Sequence, residues 1–144
     1  HQIAGKLVAL GVDTPEIHTK FLMEHSLTEA KIFARAISKM ELKNKIAYTY
    51  VTKEDMESCS ASPKNLDAIV GYLLNTEGAE VSIFASEREN NIVKLSFRSK
   101  NIDVNAVAAL YGGGGHILAA GAATEGNIND ILSNVIKEVE KRLG

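Results

Sequence analysis

The chain has 144 residues, 45% of them hydrophobic and 24% charged, with a formal net charge of −2 and a single cysteine, Cys59. That length fits one domain with a packed core and a soluble surface, and the acidic lean excludes a protein that grips long duplex DNA by its backbone. A lone cysteine excludes an internal disulfide and a cysteine-based metal site, gives no reason to assign Cys59 a function, and points to a cytoplasmic location.

In chain order, Ile3, Leu7 and Leu10 recur at helical spacing and Gly11 ends that segment. Thr14-Pro15 then opens a second helix, since threonine caps well and proline fits a first turn whose N–H has no partner. Ser26 caps a third, with Ala30, Phe33, Ile37 and Met40 as its apolar stripe, and His18 and His25 read as solvated. These helices form a connector over residues 1–44. The chain begins at His1 within a helical pattern and shows no secretory leader, so a fragment of a longer protein is expected. No apolar run approaches the roughly 20 residues of a membrane span.

An α/β unit follows over residues 45–144. Lys45 to Val51 is a predicted strand. Thr52 caps a short helix whose Glu54 and Asp55 lie in the first turn, where the helix dipole accounts for them without a metal. A polar loop, Ser58 to Asn65, precedes a helix from about Leu66 to Leu74 that ends near Glu77-Gly78. Val81 to Ala85 and Ile92 to Ser99 are strands joined by the turn-forming Glu87 to Asn91. In the second strand Val93, Leu95 and Phe97 face the core, which puts Lys94, Ser96 and Arg98 on the other side. Lys94 reads as an ordinary solvated side chain, whereas Arg98, at the strand's end where a ligand can reach it, reads equally as a ligand contact or as part of a solvated strand face. Asp103 caps a helix from Val104 to Tyr111 with Val107 and Leu110 inward. Ala119 to Thr124 is a small-residue strand, and Ile128 to Leu143 an amphipathic helix. The alternation predicts a mixed β-sheet with helices packed on it, preceded by the helical connector.

Gly112 to Gly115 followed by His116 is the least ordinary feature. Each glycine costs roughly 0.5–1 kcal/mol relative to alanine in a regular element. Such a run is kept where main chain must approach something closely or adopt angles other residues refuse. Consecutive N–H groups can cradle an anion, and a histidine beside them can be charged or neutral near physiological pH. A loop that holds a phosphate with His116 at its lip is the reading favoured over glycines that merely let two elements pack.

Phe97-Arg98-Ser99, Asp103-Val104, Gly112 to His116 and Ala119-Ala120-Gly121 together resemble the C-terminal domain of the DHH phosphoesterase superfamily, nearest its oligoribonuclease and phosphoadenosine-phosphate phosphatase branch, which is also labelled exopolyphosphatase-related. The resemblance covers about residues 45 to 143 and implies a division of labour. An N-terminal domain with an Asp-His-His motif would hold two manganese ions that activate water. This sequence has no such triplet, so it resembles the substrate-binding half, and no catalytic residue, metal or cofactor is expected in this chain. Carried over, Arg98 clamps a phosphate with its planar fork. Ser99 adds a hydroxyl, Gly113, Gly114 and Gly115 present N–H groups, and His116 binds phosphate or packs on a base. One departure puts a helix contact in question: Gly71 stands about where related proteins carry asparagine.

The implied partners are short single-stranded RNA or nucleotide phosphates such as 3′-phosphoadenosine 5′-phosphate, and the chain's own N-terminal catalytic domain, with a homodimer left open and no membrane. The alternatives are a tRNA-binding or oligomerisation module like that of alanyl-tRNA synthetases, and a domain of a cyclic-dinucleotide phosphodiesterase.

Overall fold

The computed structural model describes residues 24–144. The two helices expected before Ser26, and His18, lie outside the described residues. Helix α1 (Leu27–Ser38) begins at Ser26, whose side chain accepts from the Glu29 N–H at 3.0 Å while Glu29 accepts from the Ser26 N–H at 2.8 Å. Its buried line is Ile32 and Ala36, with Phe33, Ile37 and Met40 packed partway in. Strand β1 (Glu41–Lys43), which the sequence did not announce, turns through Asn44 and Lys45 into β2 (Ile46–Val51). This hairpin spans residue 44, the expected domain boundary.

Helix α2 (Lys53–Cys59), a 3₁₀ turn (Pro63–Leu66) and helix α3 (Ile69–Leu74) then carry the chain to β3 (Val81–Glu87), parallel to β2. The helix expected over Leu66–Leu74 is thus shorter at its start: Leu66 closes the 3₁₀ turn and the α-helix runs from Ile69. A tight 3₁₀ turn (Glu89–Asn91) leads into β4 (Ile92–Ser99), antiparallel to β3. Helix α4 (Val104–Ala109), capped by Asp103, precedes β5 (Gly114–His116) and β6 (Ala119–Glu125). Helix α5 (Ile128–Leu143) closes the chain. The sheet is mixed, in the order β1-β2-β3-β4-β6-β5, with β5 at the edge.

Two apolar clusters sit on opposite sheet faces. On one, Ile83, Leu95, Phe97 and Ala120 pack under α4 and α5 through Val104, Val107, Leu132, Val135 and Val139. On the other, Ala47, Val51 and Phe84 pack under α1, α2 and α3 through Ile32, Ala36, Cys59, Ile69 and Leu73. Each fully buried large aliphatic or aromatic side chain contributes about 1.5–3 kcal/mol. Buried hydroxyls tie this second face to its helices: Thr49 donates to the Ala36 carbonyl at 2.6 Å and Ser82 to the Val70 carbonyl at 2.7 Å.

Asp55 locks α2 to α1. It accepts from Lys39 at 2.6 Å, from Arg35 at 3.0 Å and from the Thr52 N–H at 2.9 Å. Burial alone would raise its pKa; Lys39, the Thr52 N–H and Arg35 outweigh burial and bring it down to about 2. Leu110 departs from expectation. It is 57% exposed, because α4 has ended and the chain is already turning away from the sheet. Among the described residues no helix is long and apolar enough to cross a membrane.

Candidate functional site

Among the described residues, helices cover the sheet face that carries Ala47, Val51 and Phe84 over β2 and β3, and α3 reaches the near side of β4. Beyond that, over β6, the described residues place no helix on this face. Residues paired across a sheet share a face, so register traces this open half. Arg98 pairs with Ala119, which pairs with His116. Ser96 pairs with Gly121, which pairs with Gly114, and Lys94 pairs with Ala123. The result is a shelf floored by glycine, alanine and serine, with long cationic side chains only on β4.

Where the shelf meets α3, a cleft of about 230 Å³ opens. Leu66, Val70 and Phe84 form its apolar wall, and Arg88, Lys94, Arg98, Ser86, Ser96 and Asp67 its polar lining. Arg98 is half-buried and donates weakly to the Phe97 carbonyl at 3.4 Å. The Lys94 ammonium arches over Gly121, where it would lie 3.3 Å from an added Cβ. Arg88 is pinned by its Nε donating to Ser86 Oγ at 3.1 Å, and burial draws its pKa below the usual guanidinium value. Among the described residues no ion pair joins any of these three cations to a carboxylate. That arrangement suits an anion, because a half-desolvated guanidinium gains most from a charged acceptor.

The structure brings together some of the sequence-predicted residues and separates others. Arg98 and His116 occupy one rung of one face, two strands apart, about 10 Å at ordinary strand spacing. His116 is exposed at the edge strand and stands outside the cleft lining. Ser99 is a correction. It points to the opposite face from Arg98, is 4% exposed, and its Oγ accepts from the Ile102 N–H at 2.8 Å and the Asn101 N–H at 3.2 Å. It builds the turn after β4 and offers no hydroxyl to the shelf.

The glycine run is a second correction, since it is not a loop of free N–H groups. Gly112, at φ +79°, closes α4: its N–H donates to the Ala109 carbonyl and that of Gly113 to the Ala108 carbonyl, the pairing of a Schellman end. Gly113 has no room for a side chain, because an added Cβ would lie 2.1 Å from the Gly121 carbonyl oxygen. Gly115, at φ +148°, would put a Cβ 2.7 Å from the Ala119 carbonyl oxygen. Close strand packing and backbone angle therefore account for Gly112, Gly113 and Gly115. An added Cβ at Gly114 would make ordinary contact with Asn105 Oδ1 of α4 at 3.4 Å. The expected N–H contact from Gly113 is already used inside the fold.

Sequence reasoning missed Arg88 and set Lys94 aside. The alternation of β4 did place Lys94 beside Arg98, but Arg88 follows β3 in an apparent turn, and only its bond to Ser86 returns it to the cleft. Gly71 lies in α3, half-buried and outside the cleft lining. No group of three His, Cys, Asp or Glu side chains placed to hold a metal occurs among the described residues.

Comparison with known proteins matches this architecture. Residues 43–141 match the model of the DHHA1 domain. The bifunctional oligoribonuclease and PAP phosphatase NrnA of Bacillus subtilis is 30% identical over 121 residues, which is 83% of this chain and 38% of that protein. An exopolyphosphatase-related protein of Bacteroides fragilis superposes with a TM-score of 0.76 at 23% identity, over 96% of this chain and 42% of that one. The C-Ala domain of Aquifex aeolicus alanyl-tRNA synthetase shares the fold at a TM-score of 0.52 and 16% identity, over 73% of this chain and 97% of that one. The chain thus spans well under half the length of the NrnA relative. With its mixed sheet, half-covered face and glycine-histidine edge strand, the chain belongs to the DHHA1 domain family of the DHH phosphoesterases and is related to NrnA.

Proposed function

We propose that this chain binds the phosphate-bearing end of a short nucleotide on the open half of the sheet. It would present that nucleotide to the metal-bearing domain of a larger phosphoesterase that hydrolyses short RNA, 3′-phosphoadenosine 5′-phosphate, or both. The supporting observation is Arg98: a half-buried guanidinium without a carboxylate partner among the described residues, beside a floor with almost no side chains and on the same rung as His116. A sugar or base can lie flat on Ala119 and Gly121 while its phosphate takes the guanidinium fork. His116, at the rim, can donate to a second oxygen or stack on a base. In this reading manganese and water activation belong to the neighbouring domain, and this chain supplies grip and orientation.

The reading predicts that calorimetry with a ribodinucleotide carrying a 5′-phosphate gives saturable binding, and that Arg98→Gln weakens it at least about tenfold, the scale of one lost charge-assisted hydrogen-bond pair. Unchanged affinity in that variant would remove the shelf as the site. The tRNA-binding alternative rests on fold likeness alone. The net charge of −2 disfavours it, since a tRNA grip draws on many phosphate contacts.

A further inference from the structure

We infer that a second groove, next to the cleft, selects guanine in the nucleotide that follows the one on the shelf, with Glu57 as the residue that recognises it. This rests on the nucleotide-binding reading above and adds a base preference to it. The groove measures about 580 Å³, within the roughly 300–1,000 Å³ of small-molecule sites. Pro63 and Arg88 line both the groove and the cleft, so the two form one continuous depression. Met56, Pro63 and Ile92 give the groove apolar walls, the kind of surface against which a base stacks. Main chain fixes these walls. The Ala61 N–H donates to the Met56 carbonyl at 2.9 Å, and the Arg88 N–H donates to the Ile92 carbonyl at 2.7 Å.

Charge selects the occupant. Glu57, Glu87 and Glu89 line the groove against only Lys53 and Arg88, so it disfavours a phosphate and suits a neutral group rich in N–H donors. Lys53 engages two of the three carboxylates: its N–H donates to Glu87 at 2.9 Å and its ammonium to Glu89 at 3.4 Å. The Glu57 carboxylate has no hydrogen bond or ion pair among the described residues. An ionised carboxylate only accepts, and its two oxygens suit two adjacent donors. Among the four RNA bases only guanine offers that pair on its Watson–Crick edge, N1–H beside the N2 amino group. On adenine and cytosine a donor stands beside an acceptor, and the single donor of uracil is flanked by acceptors. Ser60, which ends α2 in the left-handed region at φ 54°, also lines the groove, and its hydroxyl can donate to guanine O6.

The test is calorimetry on the 144-residue chain with two 5′-phosphorylated diribonucleotides, pApG and pApA. The wild type is expected to bind pApG at least about fivefold more tightly, the scale of a donor pair on a carboxylate that water still reaches. Glu57→Ala should bring the two affinities within about twofold of each other. Glu57→Gln should bind pApA at least as tightly as pApG, because an amide sets one donor beside one acceptor and so complements adenine. Arg98→Gln should weaken both probes alike. Glu57 is exposed on α2. Melting curves that match the wild type confirm that each variant is folded, and a variant that melts early is replaced by Glu57→Ser in the same comparison. Equal binding of the two probes by the wild type, tighter binding of pApA, or a Glu57→Ala variant that keeps the full preference overturns the guanine groove while the Arg98 site stands. Failure of the wild type to bind either probe overturns both readings.

Discussion

One sheet face of this domain carries two different regions side by side. Over β2 and β3 it presents Ala47, Val51 and Phe84, sealed beneath Ile32, Ala36 and Leu73. Over β4 and β6 it presents Lys94, Ser96, Arg98, Ala119 and Gly121, which no helix seals among the described residues. The backbone is continuous across the boundary, and so are the hydrogen-bonded rungs. What changes is the side chains. Apolar bulk must be covered, and so it specifies where helices dock. Small residues expose main chain, and cations resist cover, so the second region remains open to a ligand. A protein need not build a separate pocket for a site; it can leave half of a core-forming surface unroofed.

The largest expected effect separates packing from binding within the glycine run. Gly113→Ala forces a Cβ to within 2.1 Å of the Gly121 carbonyl oxygen, so β5 must leave β6. Urea unfolding should show a loss of at least about 3 kcal/mol. A loss under about 1 kcal/mol would restore the picture of a free, adaptable loop.

Adjacent residues 98 and 99 give the sharpest contrast. Ser99→Ala leaves the Asn101 and Ile102 N–H groups without their acceptor and should cost about 1–3 kcal/mol of stability, with nucleotide affinity unchanged. Arg98→Gln should do the reverse, sparing stability and losing affinity. If both variants lost affinity alike, the assignment of residue 99 to the turn would be wrong.

The covered half has its own electrostatic signature. The Asp55 carboxyl titrates at about 2 when folded against 3.8 ordinarily, so the stability it adds is full above about pH 4 and is lost as pH falls towards 2. Half-exposed Arg35 screens part of this, which leaves about 1–2 kcal/mol. Denaturant midpoints measured across that range should fall in the wild type and flatten in Asp55→Asn. The smallest effect belongs to His116→Ala. An exposed rim residue should change nucleotide affinity by about twofold to fivefold and stability by less than about 0.5 kcal/mol.

Much of the fold was legible because hydrophobic period is a local signal. The alternation of Val93, Leu95 and Phe97 against Lys94, Ser96 and Arg98 assigned both faces of β4, and Ser26, Thr52 and Asp103 marked the helix starts they cap. Strand β1 escaped because Glu41, Leu42 and Lys43 are all exposed and carry no inward residue to betray a period. β5 escaped because glycine has no side chain to alternate, so a strand made of Gly114, Gly115 and His116 looks like a loop. The site was legible in part. Arg98 was found from strand polarity, whereas the role expected of Ser99 came only from the resemblance, and the two-residue period of β4 puts residue 99 on the face opposite Arg98. Arg88 reaches the cleft only through tertiary register, which no local pattern encodes.

The most direct test of the account is an amide NMR titration of the chain with a 5′-phosphorylated ribodinucleotide. The account predicts shifts concentrated at Lys94–Arg98, Gly114–His116 and Ala119–Ala123, and at Arg88, with α5 and Tyr48 undisturbed. Shifts centred instead on α5 and Tyr48, across the sheet, would contradict it.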